Sequence, residues 1–169
     1  GLLAIKMLTE SGIDFKWIIA GNGPKYEEII IAIQQLGLEK YVTLPGARSK
    51  EQVKELMETA DVFFLPSMYE GIANVVLEAM SMEVPVIATK SGGMEEVIED
   101  GVDGFLTSVN DYKLMATRMQ SLLLDTHLCT RLGSLARKKV VDKFNIERQI
   151  DTFEKVYTQL LTHSFTAHN

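Results

Sequence analysis

Cysteine, histidine and proline are scarce in this sequence: its 169 residues include one cysteine, three histidines and four prolines. A lone Cys129 excludes an intrachain disulfide, and this cysteine usage fits a reducing, cytosolic setting best. The histidines at 127, 163 and 168 are scattered and lie away from the acidic clusters. We therefore expect no metal site.

Positive charge is not in excess, because the sequence contains 17 Lys and Arg and 23 Asp and Glu, which gives a formal net charge of −6. This balance disfavours nonspecific binding of nucleic acid. The one basic run, at 137–139, is interpreted as the solvated face of an amphipathic helix. No apolar run approaches the roughly 18 residues of a membrane span, and the first residues do not have the pattern of a secretion signal.

The sequence does contain an ordinary share of core-forming residues, 46% apolar against 24% charged. Short apolar runs alternate with longer amphipathic ones, which is typical of βα units and a parallel sheet. Strands are predicted at 14–20, 41–45, 61–65, 84–88 and 104–107. Helices are predicted near the start and at 24–36, 50–59, 73–82, 94–99, 111–124, 127–143 and 146–162.

Several helix boundaries carry their own signals. Pro24 lacks an N–H and suits the first position of a helix, whereas Gly37 suits a helix end. Ser49 begins a capping-box pattern, S-x-x-Q, before an apolar run. Asn110 and Asn145 are predicted to cap the helices that follow them.

In a doubly wound sheet, ligands bind at the carboxyl ends of the strands, so the loops there are informative. In the loop at 20–24, Gly21 and Gly23 would let the backbone approach a ligand, and the next helix would offer N–H groups to an anion. The same spacing is equally compatible with a plain tight turn. The third glycine of a dinucleotide fingerprint is replaced by Tyr26, which argues against a nicotinamide-dependent dehydrogenase.

The loop after the third strand places Glu70 just before a helix and Glu78 inside an otherwise apolar one. Glu78 therefore either faces solvent or has a hydroxyl-rich or cationic partner. Eight helical residues would separate the two by about 12 Å, more than the roughly 5–10 Å of a glycosidase pair. The pair is expected to hold two parts of one extended ligand. The alternative is that both are surface charges, which composition alone favours.

The loop after the fourth strand, at 89–96, contains the adjacent glycines Gly92 and Gly93. They are expected to provide a second set of backbone donors on the same rim as the first loop. A plain turn between a strand and a helix would have the same residues.

Taken together, these residues resemble the carboxyl-terminal half of a retaining glycosyltransferase of the GT-B fold, in the large family 4 (glycosyltransferase group 1). The resemblance runs from Gly1 to about Leu161 and includes the family's E-x7-E donor signature as Glu70 and Glu78. It implies a Rossmann-like doubly wound parallel sheet with five strands here and the first family strand missing. The matching segments, in order, are 20–24, 42–46, 60–67, 70–80, 85–88, 91–96 and 101–106.

The resemblance also implies a role for each matching position. Glu70 would contact hydroxyls of the donor sugar, and Glu78 would accept hydrogen bonds from the ribose. The loop after the first strand would lie near the nucleotide, and 45–48 would lie near the base. Ala73 stands where many relatives carry Pro or Gly. The implied set is Glu70 as the catalytic residue, with Gly21, Asn22, Gly23, Gly46, Ala47, Arg48, Gly71, Ile72, Ala73, Asn74, Val75 and Glu78 binding the donor.

By the same resemblance, residues 1–144 form a domain that binds a nucleotide sugar, 145–162 a crossover helix, and 163–169 a tail. The family's acceptor-binding amino-terminal domain and the Arg and Lys that neutralise the donor diphosphate are not in the sequence. The chain is expected to be an inactive, weakly binding part of an enzyme that transfers a sugar with retention. No cofactor or metal is expected.

The expected partners are the nucleotide sugar, the missing domain, and a second copy through an exposed sheet edge or the last helix. The expected location is cytoplasmic, peripheral at the inner membrane face in the full-length protein, with membrane contact only through the missing domain. Relatives that build cell-surface polysaccharides suggest this by analogy. A nucleotide-sugar epimerase or sugar phosphorylase of the same fold, and a non-catalytic nucleotide-sugar-binding module, stay open as alternatives.

Overall fold

The computed structural model describes residues 1–166, in which helices and strands alternate as far as the last strand. Three helices then follow in succession, as the sequence predicts. Described in chain order, the elements are α1 Leu2–Thr9, β1 Trp17–Ala20, α2 Tyr26–Leu36, β2 Val42–Gly46, α3 Lys50–Glu58, β3 Phe63–Leu65, α4 Asn74–Ser81, β4 Val86–Thr89, α5 Met94–Val97, β5 Phe105–Thr107, α6 Tyr112–Leu124, α7 Thr126–Lys143 and α8 Ile146–Thr166.

Every strand pairing is parallel, which confirms the predicted α/β class and the five parallel strands. The strands form two sheets, however: β1 pairs with β2, and β3, β4 and β5 pair in that order. A cavity of about 1210 Å³ lies between the sheets, lined by β1 and β3 together with residues of α1, α3 and α6. The Trp17 and Phe64 rings approach each other within 5.6 Å across this region. The unpaired edges of β1 and β3 therefore both line this cavity.

β4 is the most buried strand, because its four residues are inaccessible on both faces of the sheet. Burial on both faces is typical of a central parallel strand covered by helices. Val86 and Ala88 pack with one apolar cluster, around Met80 of α4. Ile87 packs with the other cluster, which includes residues of α1 and α6. β4 thus joins the two halves of the core.

Three predicted helix boundaries are confirmed. Gly37 ends α2 with a left-handed backbone at φ 67°. The Ser49 hydroxyl accepts a hydrogen bond from the Gln52 N–H at 3.3 Å, and the Ser49 N–H donates to the Gln52 side chain at 3.1 Å. The Asn145 side chain accepts from the Arg148 N–H at 2.8 Å. Local hydrogen-bonding chemistry was enough to identify these positions.

Two boundary predictions are wrong. Pro24 lies before α2, because the Tyr26 N–H closes a turn onto the Gly23 carbonyl at 2.9 Å and the helix begins only at Tyr26. Asn110 does not cap α6, since it occupies a left-handed turn at φ 67°. The cap is Asp111, whose carboxylate accepts from the Leu114 N–H at 3.0 Å.

The last helix also differs from its predicted extent. α8 continues to Thr166, so 163–166 belong to the helix rather than to a tail, and 167–169 lie outside the described residues. An apolar face of α8 is exposed: Ile150, Phe153 and Tyr157 are 50%, 55% and 63% exposed. That a second copy or another domain covers this face stays a prediction.

The basic run at 137–139 is not simply a solvated face, which corrects the sequence-based interpretation. Lys138 is exposed, but the Lys139 ammonium forms an ion pair with the Asp103 carboxylate at 2.8 Å. Both side chains are largely buried, with 14% and 5% of their surface exposed. Asp103 also accepts the Glu99 N–H at 2.8 Å. The pair therefore ties α7 to the loop before β5.

Lys139→Met is expected to lower the free energy of unfolding by about 3 kcal/mol, because it leaves the Asp103 carboxylate buried without its cation. Urea denaturation followed by Trp17 fluorescence measures this change. Lys138→Met on the same helix is the matched control. Its free energy of unfolding should stay within about 0.5 kcal/mol of the wild-type value. Equal effects of the two substitutions would contradict the ion pair's structural role.

Candidate functional site

The candidate residues lie on loops that follow strands, and the structure brings them together as two groups. One group follows the paired strands β1 and β2, and the other follows the paired strands β3 and β4. Because paired parallel strands end at the same edge of a sheet, each group shares one rim.

In the first group, the loop after β1 is joined to the end of β2. The Gly21 N–H donates to the Gly46 carbonyl at 2.9 Å, and Ala20 is in register with Gly46. Gly21, Asn22 and Gly23 are exposed. The exposed backbone of this loop is thus held beside the start of the 46–48 segment.

Arg48 is the cation of the first group. Its guanidinium is exposed and donates to the carbonyl of the neighbouring Ala47 at 3.0 Å. Within the described residues it forms no ion pair. Lys25, at the start of α2, is already paired with Glu28 at 2.9 Å. Arg48 therefore provides the uncompensated positive charge on this rim.

In the second group, Glu70 is half-buried in an irregular loop, and α4 begins four residues later at Asn74. The helix cap is Ala73, whose side chain makes no capping hydrogen bond. First-turn N–H groups of a helix are unsatisfied without such a cap and favour an anion. Residues 70–73 are not helical, so the assumption that eight helical residues separate the two glutamates is wrong.

Glu78 lies on the exposed side of α4, whose opposite side is formed by the fully buried Val76, Ala79 and Met80. Glu78 therefore faces solvent, and a hydroxyl-rich or cationic partner for it stays a prediction. Among the side chains that the structure describes, neither the Glu70 nor the Glu78 carboxylate has a hydrogen-bond or ion-pair partner. Both carboxylates can accept hydrogen bonds from a ligand.

The loop after β4 lies directly against the Glu70 loop, a contact that sequence reasoning missed. A Cβ built on Gly92 would overlap the Glu70 carbonyl oxygen and lie 2.7 Å from its carbon. One built on Gly93 would lie 2.8 Å from the Ile72 side chain. The Thr89 hydroxyl donates to the Ser67 carbonyl. Adjacent glycines were the available signal, and their predicted role as backbone donors stays a prediction.

The cavity between the sheets reaches both groups. Ala20 and Lys25 line it from the side of the first group, and Pro66 and Val75 line it from the side of the second. Within residues 1–161, no hydrogen bond or ion pair links the two groups directly. A ligand that contacted both would therefore have to bridge them.

No group of three or more His, Cys, Asp or Glu residues in the described part of the chain could hold a metal ion. Of the described helices, none combines the length and the apolar character needed to cross a bilayer.

Comparison with known proteins gives consistent matches. The family described as glycosyl transferases group 1 matches residues 2–139. An N-acetyl-alpha-D-glucosaminyl L-malate synthase of Bacillus anthracis is 34% identical over 156 residues, which are 92% of this chain and 40% of that protein. The putative colanic acid biosynthesis glycosyltransferase WcaL of Escherichia coli is 35% identical over 149 residues, 84% of this chain and 37% of its own length. The chain thus spans about two fifths of these relatives.

A solved structure with the same fold contains a bound nucleotide. Anabaena HepE, crystallised in complex with UDP and glucose, superimposes with a TM-score of 0.82 at 25% identity. The match covers 94% of this chain and 44% of HepE.

Proposed function

The chain belongs to the group 1 glycosyltransferase family, and on that premise we propose that it is the donor-binding part of an enzyme that transfers a sugar, with retention, from a nucleotide diphosphate to an acceptor hydroxyl. Its fold is the Rossmann-like fold of the carboxyl-terminal half of GT-B. The observation that carries the proposal is the arrangement around α4, where two unpartnered carboxylates, Glu70 and Glu78, flank an uncapped helix start.

We assign the two carboxylates to different parts of the donor. Glu70 precedes the helix start and is proposed to accept hydrogen bonds from the sugar, where the bond to the leaving phosphate breaks. The first-turn N–H groups of Asn74 and Val75 would face the phosphates, because they lack a side-chain cap. Glu78, one turn further along α4, would hold the ribose hydroxyls. Its exposure without a partner supports this assignment.

The nucleotide is proposed to extend toward the first group of loops. The exposed backbone at 21–23 allows close approach of a ligand, and the 46–48 segment lies beside it through the Gly21–Gly46 hydrogen bond. The nucleotide and sugar bound to HepE support a nucleotide sugar as the ligand class. The site is rich in carboxylates and backbone donors, and we propose that this domain supplies no metal ion to the transfer.

The exposed apolar face of α8 is proposed to cover a surface outside residues 1–166. In a longer protein that surface would belong to the acceptor-binding domain; in the isolated chain, a second copy would take its place. The exposed Phe153 and Tyr157, whose rings lie 6.5 Å apart, support an apolar contact. A cytoplasmic location, peripheral at the inner membrane face in the longer protein, is likewise proposed by analogy with the family.

Glu78→Gln is expected to weaken binding of UDP and of UDP-glucose alike, by about tenfold, because a charge-assisted hydrogen bond to ribose is lost from both ligands. Glu70→Ala should leave binding of UDP unchanged and weaken only the binding of UDP-glucose. In a longer, active form of the protein, the same substitution should mainly lower kcat. NMR titration of the chain with each ligand measures the affinities.

Glu55→Gln removes the same charge from an exposed position on α3 and serves as the control. It should change neither affinity. If all three variants bound both ligands as wild type does, the acidic pair would be ordinary surface charge.

The isolated chain is expected to show no transferase activity and only millimolar affinity for nucleotide sugars. Its net charge is −6, and Lys25 and Lys90 on the two rims are already paired with glutamates at 2.9 and 3.4 Å. The Arg and Lys that neutralise the donor diphosphate in the family are not in this sequence. Without their two charge-assisted contacts, of about 1.5–3 kcal/mol each, the affinity would shift from micromolar to millimolar. Calorimetric titration with UDP, GDP and ADP sugars tests this.

Micromolar binding, or transfer by the purified chain, would show that the donor site is misplaced. Incubating a longer form of the protein with donor alone, and with donor plus acceptor, separates the alternatives. An epimerase converts the donor without an acceptor, whereas a binding module leaves the donor unchanged in both mixtures.

A further inference from the structure

The contact between the loop at 91–93 and the Glu70 loop points to a role for Gly92. We propose that Gly92 is a positioning residue for Glu70: its missing side chain lets the loop after β4 lie against the Glu70 backbone and so determines where the Glu70 carboxylate is presented. The part of this inference that concerns a sugar ligand rests on the proposed function.

The fit at Gly92 is tight and directed at one residue. A Cβ there would overlap the Glu70 carbonyl oxygen, and its next neighbours would be the Glu70 carbonyl carbon at 2.7 Å and the Gly71 Cα at 3.4 Å. Contacts under 3.0 Å essentially never occur for real Cβ atoms, so one of the two loops must move. Gly92 also has φ 55°, a conformation that residues with side chains rarely adopt.

The loop at 91–93 is the more firmly held of the two. The Lys90 N–H donates to the Thr107 carbonyl of β5 at 2.8 Å, which fixes the start of the loop to the buried sheet. Ser91 is buried, and Met94, directly after the glycines, is completely buried in the core. A side chain at position 92 would therefore displace the Glu70 segment rather than its own loop.

The Glu70 segment has few other restraints. Residues 66–73 form neither helix nor strand, and Gly71 adds backbone freedom immediately after Glu70. The Glu70 carboxylate has no partner among the described side chains, so no ion pair holds it in place. Around Glu70 the segment is held by the Thr89–Ser67 hydrogen bond and by the packing of 70–72 on the two glycines, while Pro66 and Ala73 at its ends pack on other parts of the chain.

Displacement of Glu70 should weaken binding of the sugar half of the donor only. Glu78 lies within α4, whose position is set by the buried Val76, Ala79 and Met80. A shift of the loop before the helix would leave that side chain in place. The affinity for UDP should therefore persist while the additional affinity supplied by the sugar is lost.

The test compares Gly92→Ala with Gly12→Ala in the 169-residue chain. Gly12 has a similar left-handed backbone, φ 74°, but no atom within 4 Å of its Cβ position, so this control reproduces the strain without the contact. Gly92→Ala is expected to shift the backbone amide NMR signals of 70–72 and to lower the affinity for UDP-glucose relative to UDP by about tenfold. Gly12→Ala should do neither.

A double-mutant cycle adds a readout that a purely structural effect would not move. If Gly92 acts through Glu70, adding Gly92→Ala to Glu70→Ala should cause no further loss of UDP-glucose affinity. Should Gly92→Ala fail to fold, Thr89→Val removes the hydrogen bond to Ser67 at nearly constant volume and should shift the same signals and the same affinity ratio.

Unshifted signals at 70–72, or equal weakening of UDP and UDP-glucose, would overturn the inference. Additive losses in the cycle would do the same. If the wild-type chain bound neither ligand, the proposed function would be wrong, and the amide shifts alone would then decide whether Gly92 positions Glu70.

Discussion

The burial of β4 on both faces is the constraint on which the rest of this structure depends. Its four residues connect the two apolar clusters of the core, and its parallel pairing with β3 and β5 fixes which loops meet at the rim. The loop after β4 supports the loop after β3, and that loop carries Glu70. A buried apolar strand thus holds a pair of loops whose functional groups are polar and unpaired.

The charged side chains at the site differ in whether they have partners. Both carboxylates are without partners in the described chain, while Lys25 and Lys90 are paired with neighbouring glutamates. Such a site offers acceptors for hydroxyl groups and backbone donors for phosphate oxygens, and its cation Arg48, unpaired among the described residues, belongs to the first group of loops rather than to the group around α4. This imbalance is why the donor's phosphates are proposed to need contacts from outside the chain.

Features that depend on residues close together in the chain could be predicted from the sequence. The Ser49 capping box and the Gly37 helix end were predictable because their partners lie within a few residues. Pro24 and Asn110 were misassigned because an adjacent turn displaced each helix start. The Lys139–Asp103 pair and the Gly92–Glu70 contact join residues 36 and 22 positions apart, and only tertiary packing reveals them. The division into two sheets likewise required the structure.

The central claim is that one nucleotide sugar lies along α4, with its nucleotide at Glu78 and its sugar at Glu70. A crystal structure of the chain soaked with UDP-glucose tests this most directly. The account predicts ribose hydroxyls within hydrogen-bond distance of the Glu78 carboxylate and glucose hydroxyls within the same distance of Glu70. A nucleotide bound instead in the cavity between β1 and β3, with both carboxylates unoccupied, would contradict it.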